Sequence, residues 1–445
     1  MKKLITSFFL SFSLYTVHAQ TISTVAGGGN ANPGDGGLAT DCELDSPTGI
    51  VVDAAGNYYF TERDRHRVRK VATDGTITTI AGTGVAGYDG DGGAATAARL
   101  KYPYSITIDA VGNIYIGDAA PSIRKITTTG TISTYAGNGV AGFSGDGGPA
   151  ILAEMNGPSG MAFDVAGNLY IADKGNNRIR KITPTGIIST YAGTGAGIYN
   201  GDNIPATDAN LGRPAGVFVD ADGNILISDS ENNRIRKVVP TGIISTVAGS
   251  SHTIGFSGDG GPATAAKLNE PYTVVADNAG NILIGDTFNN RIRRVGPDGT
   301  ISTIAGNGGG AYTGDGSPAT AYRVGNPVGM AVKADGSLLV CDFLNDRIRL
   351  ITNVVAVHDI KSTPVSGSLT VFPNPSSGRF SVRYTGTPGM QHISVSDIAG
   401  KVLKEIVNVS DNVTYIDISG TPPGLYFVAV HTSAGDICGR VVVDR

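Results

Sequence analysis

Between residues 22 and 352 one pattern of apolar and polar positions returns six times, at a spacing of about 55 residues, the range of propellers and related arrays. The third copy shows it most plainly. Its apolar positions predict a first strand over Gly160 to Asp164, a second over Leu169 to Asp173, a third over Arg178 to Ile182 and a fourth over Ile187 to Ala192. The turn Asp164-Val165-Ala166-Gly167-Asn168 joins the first two and supplies the glycine that a positive-φ hairpin needs. Thr185-Gly186 marks the turn into the fourth. Related copies begin at Pro47, Pro103, Pro214, Pro271 and Pro327. Four antiparallel strands per copy make a propeller blade, whereas a β-helix would repeat at a much shorter period.

The ends of the array point to ring closure. The last copy stops after its third strand, Arg347 to Ile351, while a spare fourth strand, Ile22 to Gly27, precedes the first full copy. Set beside the last blade, the spare strand would join the two ends and protect edges otherwise open to aggregation. After Val357 the repeat is gone. Strand-like segments separated by Gly and Pro turns then run to Arg445 and predict a small β-sandwich.

Composition agrees with this all-β reading. Gly accounts for 64 of 445 residues and charged side chains for only 16%, which favours short strands and tight turns over helices. A net charge of −4 offers no general pull toward nucleic acid or anionic membranes. Lys2 and Lys3, an apolar run to Val17 and the sequence Val17-His18-Ala19 form a secretory signal with cleavage expected before Gln20. The run is interrupted by Ser and Thr and falls short of the roughly 20 residues that span a bilayer. The expected organisation is a signal peptide at 1–19, a propeller at 20–357, a linker at 358–368 and a sandwich at 369–445. A monomer without a transmembrane segment is expected. Cys42, Cys341 and Cys438 make a poor disulfide set. Cys42 and Cys341 read as small core residues, with a bridge between them as the alternative.

The pattern P-x-G-I-x-V-D-x-x-G-N-L-Y-I-A-D-x-x-N-x-R-I-R-K, carried by Pro158 to Lys181 and its five relatives, resembles the NHL repeat family, and implies a six-bladed NHL-type β-propeller. The motifs Phe372-Pro373-Asn374-Pro375, Ser396-Asp397-Ile398-Ala399-Gly400-Lys401 and Pro423-Gly424-Leu425-Tyr426 resemble the C-terminal sorting domain of type IX secretion in Bacteroidetes-type bacteria. That resemblance implies handling by the type IX machinery and a secreted or outer-surface location.

Candidate chemistry is sparse. His66 and His252 stand in different repeats at unlike positions, and neither a nucleophile elbow nor a paired-Cys metal motif occurs. Asp118, Asp173, Asp229, Asp286 and Asp342 end second strands, while Arg178, Arg234, Arg291 and Arg347 begin third strands. Ion pairs across that corner are expected, except in the second blade, where Ser122 replaces the arginine. The inserts between blades carry Asp35, Asp91, Asp146, Asp202, Asp259 and Asp315 beside Gly. Such aspartates suit loops that bond their own backbone. As a carboxylate-lined face they would bind a ligand or Ca²⁺, although no motif requires a cofactor. Two functions follow: a scaffold that recognises glycan or protein, without nucleic acid as partner, or a metal-dependent hydrolase or lyase of the gluconolactonase-like propeller type.

Overall fold

A computed structural model describes residues 20–250, 253–352 and 367–443, apart from 375, 387–391, 397–401, 408, 410–412 and 433–434. The signal peptide, most of the linker and His252 lie outside the described residues, as do part of the motif at 396–401 and the Cys438 side chain. The chain divides into two units, Met1–Val355 and Ala356–Arg445.

Six antiparallel sheets make the first unit, five of them built from strands consecutive in the chain. In blade 3 these are Pro158–Phe163, Leu169–Asp173, Arg178–Ile182 and Ile188–Ala192, from the ring axis outward. They depart from the sequence expectation by no more than two residues at any end. Blade 4 gains a short fifth strand, Ile204–Pro205, where its insert pairs with the outer strand. Blade 6 takes its outer strand from the other end of the chain: Thr21–Ala26 pairs antiparallel with Arg347–Thr352. Ile22 and Ala26 from that strand are buried in the last blade and the joint to blade 1. Closure therefore rests on hydrogen bonds and on apolar burial together.

Glycine in the P-x-G motif has a packing reason. A Cβ on Gly49 would lie 2.8 Å from Ser105 Cα, and one on Gly160 or Gly216 would lie 2.7 Å from a carbonyl oxygen of the next inner strand. The inner strands of neighbouring blades meet backbone to backbone, so only the smallest residue fits. Where the position carries Ser105 or Thr273, a glycine, Gly117 or Gly285, stands across the strand pair.

Cys42 and Cys341 are free thiols, both fully buried in the core between blades 6 and 1. They fill space there and form no bridge.

The second unit is a sandwich. Strands Gly367–Phe372, Arg379–Gly386 and Val413–Asp417 form one sheet, and Val402–Val407, His392–Ser396, Gly424–Thr432 and Gly435–Val443 the other. Alternate residues such as Phe380, Val382, Tyr384, Val428 and Val430 point into a shared core. No described helix is long and apolar enough to cross a membrane.

Candidate functional site

The six inner strands surround a channel of about 1060 Å³. In blade 3, Pro158 lies opposite Asp173, so the start of an inner strand and the corner after the second strand share one end of the channel. Three positions of each repeat meet there: the residue before the proline, the residue after it, and the corner residues. Among the side chains they bring to this mouth are Arg63, Tyr104, Lys174, Arg213, Tyr272 and Phe288. Lys174 Nζ lies 4.1 Å from the centre of the Tyr272 ring, and the Arg63 guanidinium 5.1 Å from that of Tyr104. Phe288 meets Tyr272 edge to face at 6.2 Å. Tyr104 and Phe288 remain 41% and 47% exposed, which leaves ring surface for a ligand. Burial, then the Arg213 charge, lowers the Lys174 ammonium to about 8.

The mouth is held by latches between blades. The residues before the prolines, Ser46, Tyr102, Arg213, Glu270 and Asn326, all have left-handed backbones with φ between 44° and 51°. Each donates its N–H to a corner side chain of the preceding blade: Asp346 at 2.8 Å, His66 Nδ1 at 3.1 Å, Asn177 at 2.9 Å, Asn233 at 2.8 Å and Asn290 at 3.0 Å. Those acceptors are left-handed too, a conformation that Asn and Asp tolerate best among side chains with a Cβ. His66 accepts at Nδ1 as a neutral ring, and burial holds its pKa below the ordinary value against the pull of Asp64 and Asp45.

The six insert aspartates stand elsewhere. Each insert leaves the mouth end and runs along the outer strand of the blade it precedes, as the bridge between Pro149 and Ile187 shows for blade 3. Asp146 accepts from Arg180 Nη2 at 2.6 Å and from Thr190 Oγ1 at 2.7 Å. The same ion pair joins Asp35 to Arg69, Asp91 to Arg124, Asp202 to Arg236, Asp259 to Arg293 and Asp315 to Arg349, at 2.5–3.0 Å. One carboxylate serves each blade at its outer edge. Among the described residues no three His, Cys, Asp or Glu side chains gather in a way that could hold a metal ion.

All six arginines are fully buried. A buried guanidinium is tolerated only when its charge and its N–H groups are matched. In five blades Nη1 faces the acid that ends the second strand, from Glu62 at 2.8 Å to Asp229 at 3.5 Å. In blades 2 to 6 an insert ring, from Tyr88 to Tyr312, covers the guanidinium at 4.6–5.0 Å. This corrects the expected corner pairs. Arg178 caps the carbonyls of Asn176 and Thr194 at the open end of the blade. The Asp173 carboxylate instead turns inward to Arg180, the next arginine on the same face, at 3.4 Å.

Family comparisons agree with this geometry. The NHL repeat family matches residues 155–182 and 211–238, and the teneurin NHL domain family residues 15–86 and 85–143. The secretion system C-terminal sorting domain family matches residues 370–444. The chain is an NHL-repeat β-propeller with a C-terminal sorting domain. Human Teneurin-4 is 26% identical over 386 residues, which are 76% of this chain but 13% of that protein. The chain thus spans about an eighth of the length of that relative. A structural genomics protein of unknown function from Bacteroides thetaiotaomicron VPI-5482 superposes with a TM-score of 0.55 at 18% identity, covering 75% of this chain and 76% of that one. An auxiliary nutrient binding protein from the same organism gives 0.55 at 15%, with the same coverage. At such identities the likeness is one of fold. The sorting domain implies handling by the type IX secretion machinery.

Within the NHL propeller, the mouth residues were not singled out by the sequence because they break the repeat. The residue after each proline is Thr48, Tyr104, Ser159, Ala215, Tyr272 or Val328. The signal lay in the positions where the six copies disagree, flanked by positions where they agree.

Proposed function

We propose that this propeller is an exported binding module that holds an acidic glycan at the mouth of its channel. The observation that carries the reading is the pairing of ring faces with cations there: Lys174 over Tyr272 and Arg63 over Tyr104, with Arg213 beside them. Ring faces cover the C–H side of a sugar, and guanidinium or ammonium groups pair with its carboxylate or sulfate. Largely apolar walls with a few convergent polar groups suit a small-ligand site. Export would follow from the signal at 1–19 and the sorting domain.

The test is calorimetric titration with polyuronate and sulfated oligosaccharides against neutral ones. Acidic oligosaccharides should bind and neutral ones should not. Lys174→Ala and Tyr104→Ala should each weaken binding about tenfold, the equivalent of about 1.4 kcal/mol. Affinity should also fall as pH rises through about 8, where Lys174 loses its proton. Equal affinity for acidic and neutral oligosaccharides, or indifference to both substitutions, would refute the reading.

A further inference from the structure

The latch described above recurs at five joints of the ring and is missing at the sixth. Its acceptor atom changes from joint to joint: a carboxylate oxygen in Asp346, an amide oxygen in Asn177, Asn233 and Asn290, and a ring nitrogen in His66, all at 2.8–3.1 Å from the donor. The position thus takes an acceptor, charged or neutral, on whatever group presents it. In each case the acceptor residue stands immediately before the third strand of its blade and has a left-handed backbone.

The exception is the joint between blades 2 and 3. In blade 3 four residues, Lys174 to Asn177, separate the paired residues Asp173 and Arg178. In blade 2 only Ala119, Ala120 and Pro121 separate Asp118 from Ser122. Pro121, in the latch place, carries no side-chain acceptor, and its ring fixes a negative φ, so it cannot make the left-handed turn. The donor side of the joint is intact. Gly157 holds the left-handed position before blade 3, with φ of 64°, and its N–H has no hydrogen-bond partner among the described contacts. Asp118, the acid of the short corner, is no substitute, because it is engaged by the N–H groups of Lys101 and Ala120, each at 3.0 Å.

This donor can be reached from the channel. Gly157 is exposed, and it lines the mouth together with Ala119, Pro121 and Asn156. The corner that carries Lys174 is tied to the same segment, since the Gly175 N–H donates to Asn156 O at 2.7 Å. The vacant donor and the mouth cation therefore belong to one piece of the wall.

We propose that a carboxylate oxygen of the bound acidic glycan accepts the Gly157 N–H and fills the acceptor position that blade 2 leaves empty. Asp346 shows that a carboxylate fits the equivalent position, at 2.8 Å. A backbone N–H bonds a charged acceptor more strongly than a neutral one, and a single open donor on an otherwise latched ring gives the acid group one defined place. The proposal rests on the glycan reading and adds to it where the carboxylate sits.

The experiment follows the Gly157 amide by NMR on the full chain, using trigalacturonate and its methyl ester as probes. Labelling asparagine with ¹³C at the carbonyl and glycine with ¹⁵N selects the glycines that follow asparagine, namely Gly139, Gly157, Gly201 and Gly308. The signal lost in Gly157→Ala identifies the one required. Trigalacturonate should move the Gly157 amide proton downfield, leave the other three in place, and slow hydrogen exchange at Gly157 at least about tenfold, as a new hydrogen bond would. The methyl ester should do neither. Replacing Ala119 to Pro121 by the sequence Lys-Gly-Asn-Asn, the corner of blade 3, gives Gly157 an internal acceptor. Its amide should then be shifted and protected without ligand, and affinity for trigalacturonate should fall about tenfold, the equivalent of about 1.4 kcal/mol. The measurements on the unaltered chain decide the matter even if that variant does not fold. Calorimetry on the same samples separates the two readings. Trigalacturonate that binds while Gly157 stays unmoved, or moves no more than the other three glycines, would overturn this proposal alone. Equal shifts from acid and ester would do the same, and no binding at all would overturn both.

Discussion

Replacing Arg180 by methionine tests whether the buried arginines hold the blades together. Arg180 is fully buried between Asp173, itself fully buried, and the outer-edge Asp146. Methionine keeps most of the volume but leaves Asp173 without its cation. Removing one partner of a buried pair costs about 3–5 kcal/mol. Unfolding entropy of about 2.1 cal/mol/K per residue amounts to about 0.7 kcal/mol/K for a propeller of this length, so the melting temperature should fall by about 4–7 °C. The deficit should depend on pH. Burial already holds the Asp173 carboxyl above its ordinary value, against the bonds from Asn176, Asn156 and Arg180, and losing the arginine raises it further. A carboxyl whose pKa is raised on folding favours the fold while it is protonated, and that contribution is lost as pH rises through the raised value. The deficit should therefore be smaller at pH 4.5 than at pH 7.5. Adding Asp173→Asn should recover more than half of it, because no buried charge is then left unmatched. Calorimetry of the three proteins at pH 4.5, 6 and 7.5 decides the matter. A loss under about 1 °C at pH 7.5, or one that does not change with pH, would refute the reasoning.

Three further outcomes follow from the same structure. Deleting Gln20 to Gly27 removes the outer strand of blade 6 and exposes the core that Ile22 and Ala26 cover. Full burial of an isoleucine alone contributes about 1.5–3 kcal/mol, so the deletion variant should unfold well below the parent in thermal melts, and an unchanged melt would contradict closure by this strand. Asp91→Asn weakens the ion pair with Arg124 but keeps an acceptor for Thr134. It should lower stability by about 1–2 kcal/mol, and because both carboxylate oxygens are already engaged, Ca²⁺ should shift the melting of parent and variant equally. A larger Ca²⁺ shift in the parent would instead assign Asp91 as a cation ligand. Removing residues 369–445 should leave a folded propeller that no longer reaches the medium or the outer surface, as cell fractionation would report, and undiminished export would count against the role of the sorting domain.

The sequence by itself determined the blades. Strand positions, turn residues and the displaced outer strand of the last blade all follow from local periodicity and from the order of the copies along the chain. A strand's two faces are fixed by its own alternation, and a D-x-x-G-N turn by its own backbone. Tertiary structure decided which acid meets which arginine. Arg178 and Arg180 share a face of the same strand, and only the depth of the blade selects the second for Asp173. Tertiary structure also moved the insert aspartates from the anticipated shared face to six separate outer edges, because each insert lies along the strand edge it protects. The candidate site depended on it most. Arg63, Tyr104, Lys174 and Tyr272 are far apart in the chain and disagree with their own repeats, and closing the ring is what brings them to one channel mouth.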